Sequence, residues 1–175
     1  MAIRRRKIET LVEGLLATYK ITEAPVPVER IAKAKGARVF HQSLEDDVSG
    51  FLYRDKYQTV IGVNTHHASV RQNFTTAHEL GHLFLHDQDE LHVDHDFRMR
   101  LRDDVSSLGT DQDEREANFF AASLLMPRRF LEEDLESVHY VNLLDDDFLD
   151  ELARKYGVSV QALVIRLKNL SYIPE

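Results

Sequence analysis

The stretch from Arg71 to His86, RQNFTTAHELGHLFLH, decides how the rest of the chain is interpreted. It contains His78 and His82, and residues four apart in a helix lie one above the other on the same face. Two imidazoles placed in this way can bind one metal ion, at roughly 2.0–2.1 Å each for zinc. Glu79 directly follows the first histidine, where its carboxylate can reach a water molecule at that metal. The H-E-x-x-H pattern is typical of zinc-dependent peptidases, in which the glutamate is the general base.

The residues around the histidines also favour a helix. Ser69 and Gln72 have the spacing of a capping box at a helix start. An apolar stripe follows at spacings of three and four, formed by Phe74, Ala77, Leu80, Gly81 and Phe84. The alternative is a core helix whose histidines are satisfied by other polar groups. That alternative is disfavoured, because two histidines and a glutamate are expensive to bury without a partner.

The histidine pair is incomplete, because a catalytic zinc site has three protein ligands and an open fourth position. His86 cannot complete it, since it lies eight residues after the first histidine, about 12 Å along a helix. A second motif, EREANFFAASLLMP, begins at Glu114 and carries Asn118 one turn later, where it can hydrogen-bond a ligand histidine. Glu114 is the candidate third ligand, although it could instead be a capping-box acid after Asp111. Glu116 is the competing ligand.

Together with Ser49–Tyr53, SGFLY, the two motifs resemble the ImmA/IrrE family of zinc metallopeptidases. The resemblance extends over most of the chain, from about Ile8 to Ile173. It implies Zn²⁺ as the cofactor and one set of metal ligands: His78, His82 and Glu114. It also implies that Glu79, between the histidines, is the general base.

The resemblance implies a substrate as well. Members of this family typically act on a helix-turn-helix transcriptional repressor, whose loss switches on stress or mobile-element genes. We therefore expect a zinc-dependent endopeptidase that cuts a specific repressor protein. The alternative is a non-cleaving, zinc-containing regulatory module that binds a repressor or DNA. The presence of Glu79 and the lack of thiols for a closed structural zinc site favour the enzyme.

Length and composition favour one globular domain over residues 1–175, with 43% hydrophobic and 30% charged residues. The chain has no cysteine, which excludes disulfides and thiolate metal sites. No apolar run approaches the length of a membrane span, and no apolar core of a signal peptide follows Arg4–Lys7, so a cytoplasmic location is expected. The net charge of −8 makes direct nucleic-acid binding an unfavoured interpretation.

Hydrophobic periodicity predicts an α+β fold, with a small antiparallel sheet packed on helices. The family resemblance implies that this helical core is zincin-like. An amphipathic helix opens the chain. Two β-rich runs, Val48–Arg54 and Tyr57–Val63, are predicted to form a hairpin through Asp55 and Lys56. Residues 146–173 are predicted to form a C-terminal helical hairpin that resembles a helix-turn-helix. Acidic residues crowd its approach and would repel phosphates, so a structural role is favoured over DNA binding.

Two regions remain open to alternatives. One edge of the hairpin Val48–Val63 could pair with an extended peptide, or the chain's own loop could cover that edge. The segment Asp87–Gln112 is long for a connection and is interpreted as a functional loop that gates the cleft. It contains four residues that resemble a second metal cluster, although without regular spacing to support it: His92, Asp94, His95 and Asp96.

Overall fold

The computed structural model describes residues 3–86, 91–95, 108–136 and 145–172. These residues form the helices α1 (Arg5–Thr18), α2 (Val28–Ala34), α3 (Ser69–Leu85), α4 (Leu108–Leu125), α5 (Arg128–Glu136), α6 (Asp146–Tyr156) and α7 (Val160–Asn169). They also form the strands β1 (Ala37–Gln42), β2 (Val48–Arg54), β3 (Thr59–Asn64) and β4 (Leu91–His95). The expected α+β class is confirmed. None of the described helices is long and apolar enough to span a membrane.

The four strands form one sheet in the order β1-β3-β2-β4. Strand β2 is antiparallel to both β3 and β4, whereas β1 is parallel to β3. The sheet is therefore mixed, not purely antiparallel as expected, because β3 inserts between β1 and β2. The interpretation that the β2–β3 hairpin offers an open edge to a peptide is wrong. Strand β1 covers one side of that hairpin and β4 covers the other.

The predicted hairpin between β2 and β3 is confirmed, but β3 begins at Thr59, two residues later than expected. The carboxylate of Asp55 accounts for the difference. Its Oδ1 accepts hydrogen bonds from the backbone N–H groups of Tyr57 (2.7 Å) and Gln58 (2.8 Å). These bonds hold both residues in the turn, as Asp side chains commonly do.

The expected capping box at the start of α3 is absent. Ser69 is the first residue of the helix, and Ala68 occupies the cap position without a side-chain hydrogen bond. Gln72 does not reach back to the cap. Its Nε2 donates instead to the carbonyl oxygen of His67 (2.7 Å), and its Oε1 lies 2.9 Å from Nδ1 of His41. The helix start is thus stabilised by contacts with the preceding turn and with β1.

Helix α3 packs between the sheet and α4, and two glycines permit the close approach. A Cβ atom at Gly50 of β2 would lie 2.5 Å from Cγ2 of Thr75 on α3. A Cβ atom at Gly81 would lie 2.9 Å from Cα and 3.1 Å from the carbonyl oxygen of Ala117 on α4. The contact at Gly81 is with backbone, which cannot move aside as a flexible side chain can. Gly81 therefore sets the distance between the two motif helices.

We expect Gly81→Ala to lower the free energy of unfolding by about 1–3 kcal/mol, the usual penalty for overpacking a tight contact. The loss should appear although alanine favours helix by up to about 1 kcal/mol over glycine. Gly14→Ala in α1 is the matched control, because a Cβ there meets nothing within 4 Å, and it should stabilise the protein. Urea unfolding of the metal-free proteins measures both changes. Equal stabilisation by the two variants would contradict the packing role of Gly81.

The C-terminal hairpin forms as predicted. Helix α6 ends at Gly157, whose φ of 65° is left-handed, and the Ser159 side chain accepts a hydrogen bond from the N–H of Ala162 (3.2 Å) at the start of α7. Arg166 of α7 is 1% exposed, and its Nε donates to the carbonyl oxygen of Met126 (3.1 Å), just after α4. The hairpin is thereby attached to the end of a motif helix. Its expected lack of nucleic-acid binding stays a prediction.

Candidate metal centre

Helices α3 and α4 bring His78, His82 and Glu114 together in the interior. The Nε2 atoms of the two histidines lie 3.0 Å apart. Across from them, Oε2 of Glu114 lies 3.5 Å from Nε2 of His78, and Oε1 lies 3.4 Å from Nε2 of His82. Both histidine side chains are almost completely buried, and the glutamate side chain is 12% exposed. Two imidazole nitrogens and the two oxygens of one carboxylate, from two helices, therefore face one small volume.

The donor atoms have the spacing that a tetrahedral metal ion requires. Bonds of roughly 2.0–2.1 Å at tetrahedral angles place neighbouring donor atoms about 3.4 Å apart. The observed separations run from 3.0 to 3.5 Å, with each histidine measured to the nearer oxygen of Glu114. Imidazole nitrogen and carboxylate oxygen are also donors that zinc accepts. The residues of this cluster therefore fit a zinc ion in both chemistry and distance.

Asn118 contacts one histidine of the pair, on the side away from Glu114. Nδ1 of His78 donates to Oδ1 of Asn118 at 3.1 Å. With the proton on Nδ1, Nε2 is left with a lone pair directed at the cluster. The Asn118 side chain thus lies where the sequence predicts, one helical turn after Glu114. Its effect on metal binding stays a prediction.

Glu116, the competing ligand, contacts other residues. Its carboxylate accepts hydrogen bonds from the backbone N–H and from Nε of Arg4, both at 3.0 Å. These bonds from Arg4 hold the pKa of Glu116 at about 2. Its carboxylate lies in a cluster with His86 and Asp113, and it is not part of the cluster around the histidine pair. The geometry thus places Glu114, and not Glu116, beside the pair.

A third histidine reaches the cluster from the sheet. Nε2 of His92 on β4 lies 3.1 Å from Oε1 of Glu114, and its ring centroid lies 4.0 Å from that of His82. The ligand atoms of all four side chains lie within 4.8 Å of one another. The sequence did not predict this position, because His92 was assigned to a loop beside the cleft.

The interpretation of residues 87–112 as one irregular loop is wrong where the structure describes them. Residues 91–95 form β4, and α4 begins at Leu108. Residues 87–90 and 96–107, including Asp96 of the suspected cluster, lie outside the described part of the chain. A signal for the strand was present, since polar His92 and Asp94 alternate with apolar Leu91 and Val93. Alternation of this kind puts both polar residues on one face of a strand.

Glu79 lies beside the cluster, between α3 and the sheet. Its side chain is buried, and its Oε1 is 3.8 Å from the position that a Cβ atom would take at Gly50. Its carboxylate also lies close to His78 and to Asp94 of β4. The ligand atoms of these three side chains are within 4.8 Å of one another. The candidate general base is therefore held next to the donor set by α3 on one side and by β2 on the other.

The charges of the cluster are strongly coupled. Burial opposes a proton on His78, but Glu114 and the nearby carboxylates outweigh burial and raise its pKa to about 9. Burial and the two neighbouring histidines lower the pKa of His82 to about 4. Burial also opposes ionisation of Glu114, yet its histidine partners hold the pKa well below its usual range. His82 is thus neutral, as a metal ligand must be, and a bound cation would displace the proton of His78.

Comparison with known proteins agrees with this architecture. Residues 32–168 match the model of the IrrE N-terminal-like domain, Peptidase_M78. An uncharacterized immunity region protein 2 of Bacillus phage phi105 is 29% identical over 164 residues, which are 94% of this chain and 90% of that protein.

Among solved structures, a Mycobacterium tuberculosis transcriptional regulator matches with a TM-score of 0.65 and 18% identity. The match covers 93% of this chain and 46% of that one, so the chain spans about half the length of this structural neighbour. At this identity the likeness shows a shared fold. The family match includes both motif helices and the whole sheet, and the chain therefore belongs to the IrrE N-terminal-like (Peptidase_M78) family, which has a metallopeptidase-type fold.

Proposed function

We propose that the protein is a zinc-dependent endopeptidase that hydrolyses a peptide bond in a helix-turn-helix transcriptional repressor. One observation carries the proposal. A buried donor set with the spacing of a tetrahedral zinc site lies directly beside the carboxylate of Glu79. Membership of a metallopeptidase-type family supports the same chemistry.

The residues have distinct roles in this proposal. His78, His82 and Glu114 hold zinc, and Asn118 fixes the ring of His78 so that Nε2 faces the metal. When bound, zinc polarises the scissile carbonyl and acidifies a water molecule. Glu79 takes a proton from the attacking water and passes it to the departing amine nitrogen. No side chain forms a covalent bond with the substrate.

The substrate class follows from family membership and from physical reasoning. The relative from Bacillus phage phi105 is named for an immunity region, which supports a role in repressor control. A peptidase among other cellular proteins must also avoid digesting them. Specificity is most simply obtained when binding energy away from the cut bond positions the peptide only in the right partner. A narrow substrate range is the expected result.

A non-cleaving regulatory module is the second candidate function, and one observation favours it. His92 supplies a fourth donor atom at the cluster, and zinc sites closed by four protein ligands are usually structural. A purely structural zinc site does not need a general base, so the presence of Glu79 beside the cluster favours the enzyme. The two candidates differ in whether a bound partner is cut.

We expect the zinc-loaded protein to cut the transcriptional regulator encoded beside its gene at one or a few bonds, and to leave casein nearly intact. Mass spectrometry of the products after incubation measures both. The Glu79→Gln protein with the same zinc content is the control, and it should leave the regulator whole. Rapid digestion of casein would make this a general peptidase. Binding of the regulator without cleavage would identify a regulatory module.

A further inference from the structure

We infer that His92 is a fourth ligand of the metal and closes the centre in this conformation of the protein. The identity of the metal as zinc rests on the proposed function. The position of His92 beside the other ligands does not. This assignment gives β4 a metal ligand that lies outside the H-E-x-x-H motif. It also implies that the centre must open before a substrate carbonyl can reach the metal.

Distance and burial both place His92 among the ligands. Its Nε2 lies 3.1 Å from Oε1 of Glu114, close to the separation of about 3.4 Å between donor atoms on one tetrahedral ion. The His92 side chain is 19% exposed, only slightly more than the 12% of Glu114. Three imidazoles and one carboxylate therefore converge on the same volume from three separate elements.

The sheet fixes where the His92 side chain lies. In the antiparallel ladder His92 pairs with Leu52 of β2, and Asp94 pairs with Gly50. Paired residues of neighbouring strands have their side chains on the same face of the sheet. Leu52 is buried in the core, so that face is the one that packs on α3. The pairing of β4 with β2 thus places His92 over the histidine pair.

A closed centre has a direct consequence for access. A catalytic zinc ion keeps one position open for water or substrate, whereas four protein ligands fill a tetrahedral ion. His92 must therefore leave the metal before hydrolysis. Among the described strands β4 is an edge strand, paired only with β2. An edge strand is displaced at lower free energy than a central one, since it breaks one ladder instead of two.

The first test counts the imidazoles on the metal. X-ray absorption of the zinc-loaded native protein should show three, and His92→Phe, which keeps a ring but removes the donor, should show two. His66→Phe is the matched control, because His66 is an exposed histidine bonded to Ser43 and Asp46; it should keep three. Two imidazoles in the native protein, or an unchanged count in His92→Phe, would overturn the assignment.

The second test measures access to the metal without any peptide substrate. Acetohydroxamate binds a metal through an open position, and cobalt in place of zinc reports binding by its visible spectrum. We expect His92→Ala to bind acetohydroxamate at least about tenfold more tightly than the native protein, because removing the fourth donor opens the coordination position that the hydroxamate takes. Leu91→Ala on the opposite face of β4 should behave like the native protein. Equal affinity in His92→Ala and the native protein would overturn the closure.

Neither readout depends on cleavage. If the imidazole count and the acetohydroxamate affinity change as expected while no protein cuts the repressor, the peptidase function fails and the fourth ligand stands. If the repressor is cut but neither readout changes, the peptidase stands and the role of His92 is wrong.

Discussion

Glu79→Gln is expected to leave the fold and the zinc content unchanged while cleavage of the repressor falls by about 10²–10⁴-fold, the loss typical of a missing general base. Glutamine has almost the same volume as glutamate, so the buried site between α3 and β2 still packs. Its amide cannot accept the proton of the attacking water. The native protein and Glu79→Gln therefore differ in proton transfer and in little else.

Single-turnover cleavage and zinc stoichiometry, measured on the same preparation, test this expectation. Glu13→Gln on the exposed face of α1 is a control for the loss of one negative charge. It should cleave at the native rate. Unchanged turnover in Glu79→Gln would exclude Glu79 as the base, and loss of zinc from it would show that the side chain also has a role in metal binding.

The second large effect separates the two acidic residues of α4. We expect Glu114→Ala to lose zinc on gel filtration, because a direct ligand should matter more than the outer groups whose loss weakens metal affinity 10–100-fold. Glu116→Ala should retain zinc. It should instead lower the free energy of unfolding by about 1–3 kcal/mol, since a buried carboxylate bonded to Arg4 is removed. Arg4 is 41% exposed, so its charge stays partly hydrated and the loss stays below that of a fully buried pair.

The stability effect of Glu116 should also depend on pH. Its pKa is about 2 in the folded protein and 4.5 ordinarily. A lowered folded pKa contributes stability that is fully present above 4.5 and is lost as the pH falls towards 2. The difference between native protein and Glu116→Gln should therefore shrink over that range in urea unfolding. If only Glu116→Ala strips the zinc, the assignment of Glu114 is wrong.

Many of the features that the sequence predicts depend only on short-range patterns. His78, Glu79 and His82 need only helical spacing to share one site, and Asn118 needs only its position one turn after Glu114. The same holds for the hairpin turn at Asp55, where a local side chain sets the backbone. Each of these features is determined within a few residues, so periodicity and turn chemistry are sufficient to find it.

Pairings between distant segments were not predictable in this way. His92 reaches the histidine pair only because β4 pairs with β2, about forty residues earlier in the chain. The carboxylate of Glu116 is bonded by Arg4, 112 positions away. The parallel pairing of β1 with β3 likewise depends on which strand lies between them. A strand pattern shows which face is polar but not which neighbour it meets. Likewise, only the tertiary structure shows that Glu114, and not Glu116, lies beside the histidine pair.

The contact between Gly81 and Ala117 limits how sequences of this kind can diverge. The nearest atoms to a side chain at position 81 are the Cα and carbonyl oxygen of residue 117, so no compensating substitution at 117 makes room. A larger residue at 81 is tolerated only if the two helices separate. Separation would move the carboxylate of Glu114 relative to the histidines that it faces across the helix contact. We therefore expect homologues that retain the metal centre to retain a small residue at this position.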